Sequence, residues 1–180
     1  MVRFSRRNED SIGLRITKFL TWIVLSLFVL ALDQVSKMLA VDMLSFTPTQ
    51  LLPFLSLTLA CNTGAAFSIF EGHSEILAAL GIFFAIFFVF LIIRLPENRR
   101  LEGLAYSLIL AGAVGNVIDR LTRGCVVDFI HVHWNQWSFP IFNLADSAIT
   151  IGAALWIFSL MRSRAESDSH KKDSGTPIAD

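Results

Sequence analysis

The stretch 76-ILAALGIFFAIFFVFLII-93 holds no charge and no proline from end to end. At about 1.5 Å of helix rise per residue it is long enough to cross most of a bilayer core of about 30 Å. No aqueous helix needs such uniform apolarity, so this segment predicts a membrane span and sets the solvent for the rest of the chain. The whole sequence agrees: 180 residues, 54% hydrophobic and 17% charged, with a mean hydropathy of +0.60, are too apolar for a soluble domain of this size.

Working outward, three further spans appear. One runs from Phe19 to Leu32 and continues as helix through "DQVSKMLAV"; one runs from Gly103 to Ile118; the last starts near Phe142 and stays uncharged from Ser147 to Met161. Basic residues fix the expected orientation. Arg3, Arg6, Arg7, Arg15 and Lys18 precede the first span, Arg94, Arg99 and Arg100 follow the second, and Arg162, Arg164, Lys171 and Lys172 follow the fourth. Only Lys37, Arg120 and Arg123 fall on the other side. Both termini are therefore expected to be cytoplasmic, with residues of about 42–75 and 122–141 facing outward, and no basic cluster is arranged for nucleic acid. The first span reads as a retained helix, since "ALDQVSK" offers no small-x-small cleavage site. The expected organisation is a polar tail over 1–15, a four-helix membrane domain over 16–162, and a polar tail over 163–180, both tails without fixed structure. The fold class is a membrane all-α protein with a small β element.

Three spans carry polar residues at one end. Counting along helices places Asp33 roughly 21 Å beyond Phe19, Asn116 roughly 24 Å beyond Arg100 and Asp146 roughly 22 Å from Met161. Charged groups at that depth need partners or water, so their common level predicts a shared polar cavity near the outer surface. Asp33 and Lys37 stand i, i+4, Asn143 and Asp146 stand i, i+3, and Gly112, Asn116, Asp119 and Arg120 share a broad helical face. Asp119 with Arg120 reads as a structural ion pair, and Ala111, Gly112 and Gly115 as a close-packing stripe. The second span contributes none of these residues and reads as packing.

The outward segments read as strands at the membrane surface. Leu55, Leu57 and Leu59 alternate with polar residues before Asn62, and Gly64, Ala65 and Ala66 leave the backbone open to an approaching peptide. In "VVDFIHVHW" (126–134) alternation puts Asp128, Ile130, Val132 and Trp134 on one face and Phe129, His131 and His133 on the other. His131 and His133 invite a metal reading, but Asp128 falls on the opposite face and no third strong ligand appears, so no metal or other cofactor is expected. Cys61 and Cys125, one in each outward segment, read as small buried thiols in preference to a disulfide, which spacing alone cannot establish. Two carboxylates remain. Asp128 and Asp146, if close together, would hold one proton between them, giving an acid and a base for water attack on an amide. An ion-coupled carrier and a metal-dependent hydrolase are the alternatives at this point.

Five stretches now align with a known pattern: "DQVSK" at 33–37, "NTGAAF" at 62–67, "GAVGNVIDR" at 112–120, "VVDF" at 126–129 and "FNLAD" at 142–146. Together, in this order and with four spans, they resemble the bacterial lipoprotein signal peptidases (signal peptidase II), aspartic proteases of the inner membrane. The resemblance covers about residues 16–162. It implies that Asp128 and Asp146 form the catalytic dyad and that Asp33, Lys37, Asn62, Gly112, Asn116, Arg120, Asn143 and Ala145 line the substrate site or support the dyad, with Asp119 structural. It also implies a metal-free endopeptidase, probing the outer leaflet, that cuts diacylglyceryl-modified prolipoproteins on the amino side of the lipidated Cys. Membrane lipids and globomycin-like inhibitors are the other expected partners, and the expected state is a monomer.

Overall fold

A computed structural model of the chain describes residues 2–64 and 72–173. Four long helices, α1 (Val2–Met43), α2 (Ser74–Arg94), α3 (Arg100–Arg123) and α4 (Leu144–Asp173), carry a small sheet of β1 (Thr49–Leu52), β2 (Leu55–Asn62), β3 (Val126–Trp134) and β4 (Trp137–Ser138). The membrane-compatible parts of the helices are Ile16–Met43, Ser74–Arg94, Arg100–Arg123 and Leu144–Ala165, matching the four expected spans. Helix continues through residues 2–15 and 163–173, where the sequence suggested unstructured tails. Neither segment contains proline, and once a helix is nucleated by its span each added residue gains a hydrogen bond.

The bundle is arranged with its more polar helix inside. In α3, 72% of the apolar window is buried, against 11% for α1 and 22% for each of α2 and α4, so α3 is the post around which the others stand. Lipid is as apolar as leucine, so helices here gain by close packing and by matching polar groups, and α3 supplies both. A Cβ on Gly112 would run into the carbonyl oxygen of Ala145, and one on Gly115 into the carboxylate of Asp33. These two glycines admit the α4 backbone and an α1 side chain. Lower down, Phe88 of α2, Tyr106 of α3 and Trp156 of α4 meet with ring centroids 5.6 to 5.7 Å apart, and α2 turns Ile76, Phe83, Ile86 and Ile93 outward. The second span is packing, as expected.

α3 ends on Gly124 in the left-handed region (φ 75°), its N–H bonded to the Arg120 carbonyl, and the chain turns directly into β3. The strand order is β1-β2-β3-β4, all antiparallel. β2 and β3 confirm the two alternating segments. β1 and β4 add to them; β1 lies between Pro48 and Pro53, which disguise it as turn sequence but are tolerated beside an edge strand. Trp134, Trp137 and Phe139 are exposed, placing an aromatic rim on the sheet. Ala65 and Ala66, expected to leave the backbone open, lie outside the described residues.

One expectation is corrected here. Cys61 and Cys125 are joined as a disulfide with Cα atoms 5.5 Å apart, not two thiols. The register decides it: Cys61 pairs with Val127 and Asn62 with Val126, so the residue just ahead of β3 falls beside Cys61. This proximity is a product of β2–β3 register, which spacing 64 residues apart could not reveal. As these are the protein's two cysteines, a maleimide-polyethylene glycol reagent should leave the denatured, unreduced protein unshifted on a gel and add two labels after reduction. Labelling before reduction would contradict the crosslink.

Candidate active site

The start of α4 organises the site. Asn143 precedes the helix, and its side-chain Oδ1 accepts a hydrogen bond from the Asp146 N–H (2.8 Å) while the Asn143 N–H donates to Asp146 Oδ2 (3.2 Å). This is a reciprocal cap, each residue satisfying an N–H that a helix start leaves open. The same Asn143 donates from its amide to Asp128 Oδ1 at 2.7 Å. One asparagine therefore begins the helix that bears Asp146 and grips Asp128 on β3.

Each carboxylate has a second amide donor. Asn62, at the end of β2, donates to Asp128 Oδ2 (3.0 Å), and Asn116 of α3 donates to Asp146 Oδ1 (2.8 Å). Asp128 and Asp146 line one cavity of about 880 Å³ whose polar floor includes Asn62, Asn116 and Arg120 and whose apolar walls include Phe139, Ile141 and Ile149. Burial, followed by the nearby negative charge of Asp146, pushes the Asp128 carboxyl up to about 7, against the opposing pull of Asn62, Asn143 and Lys37. Asp128 thus keeps its proton through the neutral range's lower half, and the pair can present one acid and one base.

Behind the cavity lies a buried ion network. Lys37 has no exposed side-chain surface and directs its ammonium at Asp33 Oδ2 (2.9 Å), Asp119 Oδ2 (3.0 Å) and Asn116 Oδ1 (3.0 Å). Asp33 uses its other oxygen to accept the Ala145 N–H at 2.8 Å, and Asp119 accepts the Val127 N–H at 3.1 Å. Ala145 and Val127 are the residues immediately before Asp146 and Asp128. A single ammonium therefore fixes two carboxylates, and each fixes the backbone one residue ahead of a cavity carboxylate.

The residues expected to line the cavity or support its carboxylates all lie within the described structure. Asp33, Lys37, Asn62, Asn116, Asn143 and Ala145 bond within the network; Gly112 admits the Ala145 carbonyl; Arg120 lines the cavity and donates to the Gly64 carbonyl at 3.0 Å. The Arg120 Nε is buried without a hydrogen-bond partner among the described residues, leaving a donor beside the cavity. Asp119 forms an ion pair, but its partners are Lys37 and Arg123, not Arg120. Neighbours i, i+1 on a helix diverge, whereas Arg123, at i+4, returns to the Asp119 face. Arg123 was missed, although that spacing could have found it. Gly115 admits the Asp33 carboxylate, a contact that its place in a small-residue stripe does not reveal.

His131 and His133 share a face of β3, rings 5.1 Å apart. Each is engaged by a serine: His131 with Ser138 (2.7 Å) and His133 with Ser56 (2.8 Å). Among the described residues no group of three or more His, Cys, Asp or Glu is placed to hold a metal ion.

The family model for signal peptidase (SPase) II matches residues 25–162, a stretch that contains the network, both cavity carboxylates, the second and third spans whole and most of the first and fourth. This chain belongs to the signal peptidase II family. It is 41% identical over 162 residues to the lipoprotein signal peptidase of Acinetobacter baylyi, covering 86% of this chain and 90% of that protein. It is 41% identical over 150 residues to that of Teredinibacter turnerae, covering 81% and 89%. Two bacterial membrane enzymes solved by the in meso method are similar in fold. The 2.3 Å structure gives a TM-score of 0.72 at 34% identity, over 89% of this chain and 94% of that one. The 1.9 Å structure gives 0.69 at 39% identity, over 78% and 92%. The carrier reading falls with this membership: the chain is a multi-pass membrane peptidase.

Removing Lys37 tests the network. In Lys37→Met, Asp33 and Asp119 stay buried with one counter-charge fewer, a loss of about 3–5 kcal/mol for breaking a buried ion set. The expected result is a clearly lowered thermal unfolding midpoint of the detergent-solubilised protein; an unchanged midpoint would show the ammonium to be dispensable.

Proposed function

We propose that this peptidase removes signal peptides from diacylglyceryl-modified prolipoproteins, cutting on the amino side of the lipidated Cys, with Asp128 and Asp146 as its catalytic dyad. The observation that carries this reading is the pair of carboxylates on one cavity, joined through Asn143, with Asp128 held protonated to about pH 7.

The division of labour follows from their surroundings. Asp146 lies in the first turn of α4, where the positive end of the helix favours a carboxylate. It is the base that takes a proton from water as the water oxygen attacks the scissile carbonyl carbon. Asp128 is the acid that donates its proton to the carbonyl oxygen. Collapse of the gem-diol intermediate breaks the C–N bond: Asp128 takes back a hydroxyl proton as the carbonyl reforms, and Asp146 gives its proton to the departing nitrogen, leaving a carboxyl terminus on the signal peptide, a free amine on the lipidated Cys and both carboxyls in their starting states. Asn62, Asn116 and Asn143 hold the two carboxylates, and Arg120 offers its inward donor to the substrate backbone. The apolar walls at Phe139, Ile141 and Ile149 suit a diacylglyceryl chain that stays in the bilayer while the peptide enters. A globomycin-like inhibitor would occupy the same cavity.

The basic residues around the far ends of the helices support cytoplasmic termini in a bacterial inner membrane, with the cavity at the outer leaflet. The proposed mechanism needs one copy of the chain and no cofactor, and we take the active unit to be a monomer.

Asp128→Asn and Asp146→Asn should each fold and lose cleavage of a diacylated precursor by about 10²-fold or more, while His131→Ala with His133→Ala retains it. Full activity in either Asp variant would remove the dyad. The pH dependence has a definite sign. Because the Asp128 proton leaves near pH 7, activity should fall about tenfold per unit above that value as the acid is lost. A rate that is flat from pH 7 to 9, with product release excluded as the slow step, would contradict the acid role.

A further inference from the structure

A second cavity, of about 820 Å³, opens at the opposite end of the bundle, about 24 Å down α3 from Asn116. It is lined by residues of α1, α2 and α3 and by the turn between α2 and α3. Its position is set by three span boundaries: the first begins at Ile16, the second ends at Arg94 and the third begins at Arg100. The cavity therefore straddles the level where hydrocarbon gives way to headgroups and water.

Its two sides differ in chemistry. Phe19, Trp22, Ile92, Ile93 and Leu95 form an apolar side, while Lys18, Arg94, Arg99 and Arg100 crowd the other with one carboxylate, Glu97. Two of these cations are already committed. Lys18 bonds the Glu97 carboxylate (3.3 Å) and carbonyl (3.2 Å), tying α1 to the turn. Arg99 pairs with Glu102 (3.0 Å) and reaches Ser163 of α4. Among the described residues Arg94 meets the Phe90 ring, at 5.1 Å from its centroid, and neither Arg94 nor Arg100 forms an ion pair. Both are exposed. No side chain caps the N-terminus of α3 here, so the helix end adds a partial positive charge to the same side.

We propose that this cavity is a binding site for an anionic phospholipid, its phosphodiester between Arg94 and Arg100 and its upper acyl segments along Trp22, Ile92 and Ile93. Basic pockets between membrane helices on the headgroup level take such lipids, because the phosphate meets fixed cations while the chains remain in the bilayer. An apolar ligand would leave the arginines unused, and a small soluble anion would leave the apolar side bare. The bound lipid bridges α1 to the α2–α3 turn and acts on stability at the end of the bundle remote from the dyad, independently of which peptide is cut.

The test uses the full-length protein in neutral detergent, titrated with phosphatidylglycerol, phosphatidylcholine or sodium phosphate while the thermal unfolding midpoint is followed. Only phosphatidylglycerol should raise the midpoint. Arg94→Gln with Arg100→Gln, both exposed and outside the catalytic network, should weaken its apparent affinity about 30-fold, while Arg94→Lys with Arg100→Lys retains the preference. An equal shift with phosphatidylcholine, an equal shift with phosphate alone, or full response in the Gln variant would each overturn the assignment.

Discussion

The buried ammonium of Lys37 is the constraint on which the rest of the structure depends. It sits where α1 and α3 meet, and a lone charge there would be prohibitively costly. Two carboxylates and an amide compensate it. Asp33 accepts the Ala145 N–H of α4 on its other oxygen, and Asp119 accepts the Val127 N–H of β3 on the same Oδ2 that faces Lys37 while its Oδ1 takes Arg123. Helix, helix, helix and strand are thereby held in one hydrogen-bonded frame with no loop as intermediary. Gly112 and Gly115 are the steric counterpart, because the frame closes only if α3 lets its neighbours approach.

Within that frame, Asn143 links local and tertiary order. Its cap on α4 is short-range chemistry, written in the Asn-x-x-Asp spacing at 143–146. Its grip on Asp128 is long-range and depends on β3 arriving in register. The disulfide and the Asn62 amide secure the same strand end from the β2 side, so Asp128 is held from both neighbours. A carboxyl held this firmly in a buried place cannot relax toward water, which is why its proton affinity is raised.

Much of this was legible beforehand. Uniform apolar runs gave the four spans, and counting along them put Asp33, Asn116 and Asp146 at one level because a helix in a bilayer has a fixed rise. The five motifs brought the site residues together by family. What stayed hidden depended on rotation and register, which composition does not encode. The choice of Lys37 by Asp119 requires the relative rotation of α1 and α3; the Cys61–Cys125 bond requires the pairing of β2 with β3; and β1 hides between two prolines. The Arg123 partner is the exception, readable from its i, i+4 spacing to Asp119.

α3, the central helix, also constrains how the protein is made. It carries Asn116, Asp119, Arg120 and Arg123 toward one end, and the first two are buried in the finished bundle. Alone in lipid it would expose groups that Lys37, Val127, Asn143 and Asp146 help to satisfy in the finished bundle. Lys37 is synthesised first, some eighty residues earlier, and Val127 and Asp146 come last. Asn116 and Asp119 therefore gain their full set of partners only once α1, β3 and α4 are all in place. The same network that aligns the two carboxylates ties the burial of α3 to the arrival of the last helix.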